Sequence, residues 1–380
     1  MERGAKMSDG NAYQEIVRKA WNRARPTSAL LELTYLCNHL CTFCNNPIDR
    51  FVPGQPRALP EREMTKEQLF VALRKLRELN VLFLTLSGGE PLVRPDFFEI
   101  AEEARRLGFA LRIFSNGYLI GEELARRIQA LHPVEVSISI HGADAATHDA
   151  LTRIPGSLDR LLAGVRHLRA LGLNVMLKTP ITRLNYRQLR QIRALAGELG
   201  CHMVFDPVIT PRFDGDPSPL AMRAPEEFYR EFYTESYDDL RGGKGQAPRP
   251  LDDGFESCCG TGRSTLMIDP YGNIYPCSVW YRKAGNILEI EDIQAFWDGS
   301  PVLAEVREIS RRVKQELLPM YEHGEFCSYC PALAERMTGD PLKMAPQAHV
   351  NSRYAHEAWE ARRGKGKGGG APEGGEPCPG

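Results

Sequence analysis

Cys37, Cys41 and Cys44 stand in the run LTYLCNHLCTFCNNP at C-x3-C-x2-C spacing. Thiolates are soft ligands, and three of them on one short loop suit a cubic iron–sulfur cluster that leaves one iron without a protein ligand. An iron open in this way is a reactive position, as an open coordination site is on a catalytic metal. Two plainer readings compete: a zinc site with His39 as fourth ligand, and ordinary buried thiols. Zinc sites more commonly show paired C-x2-C or histidine spacing, which puts the cluster ahead.

A second group lies far downstream. Cys258, Cys259 and Cys277 occur in SCCGTGRSTLMIDPYGNIYPC, and Cys327 and Cys330 in FCSYCPA. Cys259, Cys277, Cys327 and Cys330 make a full set of four, two from a hairpin region and two from a C-x2-C turn, a common way to wrap a tetrahedral sulfur site. By spacing alone this site holds structural zinc or a fully ligated iron–sulfur cluster. Cys201, at the start of an apolar strand, reads as a buried thiol. Gly88-Gly89-Glu90-Pro91 is a third feature: backbone without side chains lets a ligand come close, and Glu90 can accept hydrogen bonds from an ammonium group.

The elements that must position these residues alternate strand, loop and helix over 29–206. Strand-like runs are 29–36, 81–87, 110–114, 134–140, 174–179 and 202–205. Thr65 and Gln68 form a capping box ahead of Leu69, Leu73 and Leu76 on one helical face. A helix over 95–107 begins with proline and stops at Gly108; another carries Leu158, Leu161, Val165 and Leu168 and stops at Gly172. Six βα units predict an α/β fold, a partial (β/α)6 TIM-like barrel with a parallel sheet. Chemistry in such folds gathers at the C-terminal strand ends, where both the cysteine triad and Gly88–Pro91 fall. After Phe205 the alternation stops. The stretches 207–219 and 241–253 read as linkers or lids. A small C-terminal unit follows, with a hairpin of 264–269 and 273–277 turning at Pro270-Tyr271-Gly272. The expected division is an N-terminal helix and extension (1–28), the barrel (29–206), a linker or lid (207–254), the cysteine-bearing unit (255–341), and a C-terminal helix with a disordered glycine-rich tail (342–380), disordered over 364–380.

Composition excludes several classes. The chain has 380 residues, 42 % of them hydrophobic, with a formal net charge of −1. That charge leaves no footprint for a nucleic-acid backbone or an anionic membrane. The first residues contain no apolar signal core, and nowhere do 18 uncharged apolar residues run together, so neither secretion nor membrane spanning is expected. Ten clustered cysteines point to metal ligation in a reducing cytoplasm rather than to disulfides.

The three cysteines with Phe43 before the last, followed by GGEP after the second strand, resemble the radical SAM superfamily over 31–205. The resemblance implies a [4Fe–4S] cluster on Cys37, Cys41 and Cys44, with S-adenosylmethionine chelating the open iron and yielding a 5′-deoxyadenosyl radical that takes hydrogen from substrate. It implies that Gly88, Gly89, Glu90 and Pro91 serve the cofactor, with Glu90 on the methionine ammonium group. Ser115 and Asn116, with Gly117, resemble a polar turn near the ribose. Ser137 and Ser139 offer hydroxyls from one face of strand four, and Arg153 resembles the partner of the SAM carboxylate. His141, at the end of that strand, is structural or substrate-facing. No catalytic acid or base is assigned.

The later cysteines, with C-x-x-G through Gly262, G-x4-C from Gly272 and Gly285-Asn286-Ile287, resemble the SPASM/twitch extension of this superfamily. That implies one auxiliary [4Fe–4S] cluster on Cys259, Cys277, Cys327 and Cys330, with Cys258 a neighbour or substitute. After Cys330 the next cysteine is Cys378, so ligands for a second auxiliary cluster are missing. A fully ligated cluster suits electron relay. The leading expectation is an enzyme that crosslinks or oxidises a ribosomally made peptide or protein, reduced by a flavodoxin or ferredoxin. Ser278 stands where sulfatase-maturing relatives have aspartate, which weakens that reading. The short N-terminus shows no separate leader-binding domain. The alternatives are a small-molecule dehydrogenase, epimerase or tetrapyrrole-modifying enzyme and, from another class, a non-catalytic metal-binding scaffold.

Overall fold

The computed structural model describes residues 9–46, 62–240 and 251–366. Residues 241–250 of the expected linker and 367–380 of the expected tail lie outside the described residues. In chain order, helix α1 (Asp9–Asn22) precedes strand β1 (Ser28–Glu32), α2 (Lys66–Glu78), β2 (Phe83–Ser87) and α3 (Phe97–Arg106). Next come β3 (Ala110–Ser115), α4 (Glu122–Ala130), β4 (Glu135–Ser139), the pair α5 (Ala145–Thr152) and α6 (Ser157–Ala170), β5 (Val175–Pro180), α7 (Leu189–Glu198) and β6 (His202–Asp206). After α8 (Glu226–Leu240) there are three short strands, β7 (Thr265–Ile268), β8 (Asn273–Tyr275) and β9 (Gly285–Asn286). The helices α9 (Ile293–Gly299), α10 (Pro301–Arg312), α11 (Pro331–Thr338) and α12 (Pro346–Gly366) complete the order.

Two compact units divide these elements: 26–224 with 265–303, and 1–25 with 225–264 and 304–380. The first holds a nine-stranded sheet in the order β6-β5-β4-β3-β2-β1-β7-β8-β9. From β6 through β1 to β7 every pairing is parallel, and the sheet ends on different strands, so the barrel is open. The expected partial barrel is thus present. Its hairpin is present too, since β7 and β8 pair antiparallel through Ile268 and Ile274. The hairpin, however, extends the barrel sheet by pairing β7 to β1, whereas 255–264 and 304–341 belong to the helical unit. An edge strand such as β1 leaves a row of unpaired backbone groups, and β7 satisfies them.

Alternation along the strands sorts the sheet into two faces. Leu31, Leu84, Leu86, Leu111, Ile113, Val136, Ile138 and Leu177 are fully buried on one face, as are Leu69, Leu73 and Leu76 of α2 and Leu161, Val165 and Leu168 of α6. Each such side chain contributes about 1.5–3 kcal/mol by leaving water. The opposite, inner face carries Arg112 beside Glu135, Phe114 beside Ser137 and Ser139 beside Lys178 in register. The capping box at α2 forms as predicted, with Gln68 N–H donating to Thr65 Oγ1 (3.3 Å) and Thr65 N–H to Gln68 Oε1 (2.9 Å).

Two expected bounds are corrected. Strand β1 stops at Glu32 instead of reaching Leu36, because residues beyond it bond to the last residue of β2 and to the loop after it: Leu33 N–H donates to Ser87 O (2.9 Å) and Gly89 N–H to Thr34 O (2.7 Å). Helix α12 runs to Gly366, into the stretch expected to be disordered. Within the helical unit, Phe326, Ala355 and Ala358 pack with Tyr233 and Trp359. No helix among the described residues is long and apolar enough to cross a membrane.

Candidate active site

The cysteine loop leaves the C-terminal end of β1 and is held from three sides. From the loop after β2, Gly89 N–H reaches Thr34 O and Glu90 N–H reaches Leu36 O (2.9 Å). From α5, the carbonyls of Thr152 and Leu151 accept from Leu40 N–H (2.9 Å) and Thr42 N–H (3.0 Å). From the turn after β3, Asn116 Nδ2 donates to Asn38 Oδ1 (2.6 Å) and lies 3.9 Å from Cys37 Sγ. A Cβ on Gly88 would overlap the Thr34 carbonyl, and one on Gly89 the carbonyls of Tyr35 (2.6 Å) and Leu36. The close approach permitted by the glycine pair is therefore to the chain's own backbone, where the loop is gripped. Gly88 also sits at φ 141°, open to glycine and strained for other residues.

Glu90 is fully buried at the centre of this arrangement. Its carboxylate accepts from Ser115 Oγ (2.9 Å), Asn116 N–H (2.6 Å) and Leu92 N–H (3.1 Å). Burial raises it from 4.5 to about 7 against the pull of those donors, and no cation is among the groups acting on it. Pro91 begins the short turn that presents Leu92 N–H. Ser115, Asn116 and Glu90 are thus one hydrogen-bonded group beside Cys37.

A histidine cluster lines the other side of the loop. His39, His141 and His148 are buried, and His141 stacks on His148 (centroids 5.3 Å apart, 19° between planes). Phe43 meets His141 edge-on at 4.8 Å. His141 N–H donates to His148 Nδ1 (3.0 Å), so the proton of neutral His148 resides on Nε2. Burial holds His39 and His148 at about 4 and His141 well below its ordinary value, so all three are neutral near pH 7. His39, considered above as a zinc ligand, packs edge-on to Tyr118 at 5.5 Å. His148 and Asn38 were not singled out from sequence; neither belongs to a spacing pattern.

The remaining expected residues are more dispersed. Ser137 is buried on the inner face and donates to Glu135; Ser139 lies beside Lys178. Lys178 Nζ sits 3.7 Å from the Phe114 ring centroid. Arg153 is exposed in a left-handed conformation (φ 58°) directly after Thr152, whose carbonyl holds the cysteine loop. Asp149, also missed, shapes that turn by accepting from Gly156 N–H (2.6 Å), Ser157 Oγ (2.8 Å) and Leu158 N–H (3.0 Å).

In the helical unit, Cys258 and Cys327 line a cavity of about 330 Å³ together with Ser328, Tyr329 and the Lys314–Asp253 ion pair. The Cys258–Cys259 hydrogen bond raises the first thiol and lowers the second, and Cys330 also acts on Cys258. Cys277 follows β8 in the other unit. Cys201, expected to be buried, is half-buried, with Sγ 3.6 Å from Leu199 O.

These residues fit a three-thiolate iron–sulfur cluster with SAM beside it. Among the described residues no three cysteine, histidine or carboxylate side chains stand at metal-ligand separation. Within the loop, Cys44 acts electrostatically on Cys37, Cys44 N–H donates to Cys41 O (3.3 Å), and none of the three thiols is in a disulfide. Burial, then Glu90, pushes Cys37 up to about 12, so that thiol keeps its proton until a metal's charge displaces it. A buried carboxylate with three donors and no cation is a seat for an ammonium group.

Comparison with known proteins agrees with this geometry. Residues 31–196 match the family model described as the Radical SAM superfamily. The chain is 30% identical over 296 residues to the mycofactocin maturase MftC of Mycobacterium tuberculosis, covering 74% of this chain and 73% of that protein. It is 28% identical over 340 residues to the AdoMet-dependent heme synthase of Methanosarcina barkeri, covering 83% and 94%. In fold it is similar to Streptococcus suis SuiB bound to its precursor peptide SuiA, with a TM-score of 0.63 at 16% identity over 90% of this chain and 82% of that one. With the thiol loop, the gripped glycine pair and the buried glutamate all inside the matched range, this protein belongs to the radical SAM superfamily of enzymes.

Proposed function

We propose that this enzyme uses SAM-derived radical chemistry to crosslink or oxidise a ribosomally made peptide or protein. The observation that carries the radical chemistry is Glu90, a buried carboxylate with three donors and no cation, beside Cys37. The likeness to MftC, named a maturase, supports a peptide substrate. Bound here, a [4Fe–4S] cluster with SAM supplies one-electron cleavage of the sulfonium and a carbon radical that removes a hydrogen atom. Cys37, Cys41 and Cys44 would hold the cluster, Glu90 would orient the ammonium group, and Arg153 would meet the carboxylate. Ser115 and Asn116 would face the ribose and keep Glu90 in place. The neutral histidines and Phe43 would line the loop and help keep water from a radical. Ser137 and Ser139 would add hydroxyls to the inner wall.

Cys259, Cys277, Cys327 and Cys330 are proposed to hold one auxiliary [4Fe–4S] cluster that takes up the second electron. A cytoplasmic setting and a flavodoxin or ferredoxin as reductant complete the reading, with neither nucleic acid nor membrane as partner. A second reading, modification of a tetrapyrrole, is favoured by the likeness to the heme synthase over 94% of that protein. Anaerobic incubation with SAM, dithionite and either a candidate precursor peptide or a tetrapyrrole separates them. A peptide two mass units lighter, with 5′-deoxyadenosine formed alongside, is expected; turnover of the tetrapyrrole alone overturns the peptide reading.

A further inference from the structure

Glu32 and Asp269 face each other across β1 and β7. The register pairs Leu30 with Met267 and Leu31 with Ile268, so the next step along both chains brings Glu32 beside Asp269. They lie at the C-terminal end of these strands, on the rim from which the cysteine loop departs. Both are almost wholly buried, at 5% and 3% exposure. Asp269 is well satisfied: it accepts from Tyr271 N–H (2.9 Å), Asn273 N–H (2.8 Å), Asn273 Nδ2 (2.8 Å) and the Tyr275 hydroxyl (3.3 Å). Glu32 is not, for its Oε2 has no hydrogen-bond partner.

The groups around the pair are Tyr35, which hydrogen-bonds Glu32, with Tyr271, Tyr275 and the carboxyl of Glu63, whose Oε1 accepts from Tyr35 N–H (2.7 Å). No Lys, Arg or His is among the largest influences on Glu32 or Asp269; the buried Arg94 guanidinium, which donates to Leu33 O (2.7 Å) and Met64 O (3.2 Å), is ion-paired with Asp96 (2.8 Å). Burial, then the charge of Asp269, raises Glu32 to about 8, and burial raises Asp269 as well. Two buried carboxylates without a cation cannot both ionise, so near neutrality the pair retains one proton.

We propose that Glu32 and Asp269 form an acid–base pair that receives the proton released when substrate is oxidised at the barrel rim. This rests on the oxidative reading above. In such an oxidation a substrate C–H loses its hydrogen as an atom to the 5′-carbon of the SAM-derived radical. One further electron leaves to a one-electron acceptor of the iron–sulfur class, and one further hydrogen leaves as a proton while the new bond forms. The pair begins with one proton and a charge of −1 and ends with two protons and no charge; ionisation to water resets it. Glu90 is less suited, because its oxygens are already engaged by three hydrogen bonds.

The test has one arm that needs no turnover. Infrared difference spectra of the reconstituted protein between pH 7 and pH 9 should show a protonated carboxyl band that fades as pH passes about 8 and that is missing from Glu32→Gln. Absence of such a band from the native protein overturns the proposal, whatever the substrate. In the second arm, the substrate that the native enzyme turns over, peptide or tetrapyrrole, is incubated with SAM and dithionite. Modified product per 5′-deoxyadenosine should fall about a hundredfold in Glu32→Gln and recover in part in Glu32→Asp. A ratio within about twofold of native overturns the assignment. If Glu32→Gln does not fold, the native ratio is read against pH. It should fall as acid fills the pair, and a flat profile from pH 5 to 8 counts against it.

Discussion

Glu90 and Glu32 are both buried carboxyls at the ends of neighbouring parallel strands, and burial raises both, yet their hydrogen-bonding surroundings differ. Glu90 receives three hydrogen bonds, whereas Glu32 has an oxygen without a partner and a carboxyl beside it. Replacing Glu90 by Gln removes the charge and turns an amide against the inward-pointing donors. Equilibrium binding to reconstituted protein should show SAM weakened by about 10- to 100-fold, the value of a charge-assisted contact of 1.5–3 kcal/mol. Glu32 makes a prediction about pH. Its value rises on folding from 4.5 to about 8, so the folded chain binds more protons than the unfolded chain within that window. The associated stability is present in full below the unfolded value and is lost as pH climbs toward about 8, by at most about 1.4 kcal/mol per pH unit. Urea midpoints at pH 5.5 and pH 8 should differ less in Glu32→Gln than in the native protein.

Among the elements, the loop after β2 and the cysteine loop act as one body. Gly89→Ala should break their contact, because the added Cβ meets the carbonyls of Tyr35 and Leu36 and backbone cannot step aside as a flexible side chain can. The expected result is loss of iron at the cysteine loop with far-ultraviolet circular dichroism retained. Gly108→Ala is the natural contrast. It ends α3 at φ 86° with open space around it, so only conformational strain of about 1–2 kcal/mol is added and iron content should be native. Equal iron loss in the two variants would show that crowding against the cysteine loop is not what matters at Gly89.

For the molecule as a whole, the proposed pair of cluster sites predicts separable contributions of the two cysteine groups to iron content. Cys41→Ala should lower iron from about eight to about four per chain and abolish 5′-deoxyadenosine, whereas Cys330→Ala should remove a similar amount of iron but spare SAM cleavage. Cys258→Ser against Cys259→Ser identifies the auxiliary ligand: only the second should lose iron. Persistence of 5′-deoxyadenosine in Cys41→Ala would remove the radical assignment altogether.

Much of this was legible in sequence because its carriers are local. The C-x3-C-x2-C run, the tetrapeptide Gly88–Pro91 after a strand and the Thr65–Gln68 cap are short-range patterns, and strand alternation together with glycine stops placed the barrel units to within a few residues. What sequence could not state is which distant segments meet. The pairing of β7 with β1 joins residues more than two hundred positions apart, and nothing local encodes it. From that pairing come the company of Glu32 with Asp269 and the inclusion of the hairpin in the barrel sheet. Likewise, a glycine's type is written in the chain, but the backbone crowding that requires it at 88 and 89 exists only after folding. Side-chain identity set the available chemistry; packing decided which carboxyls remain charged and which must hold a proton.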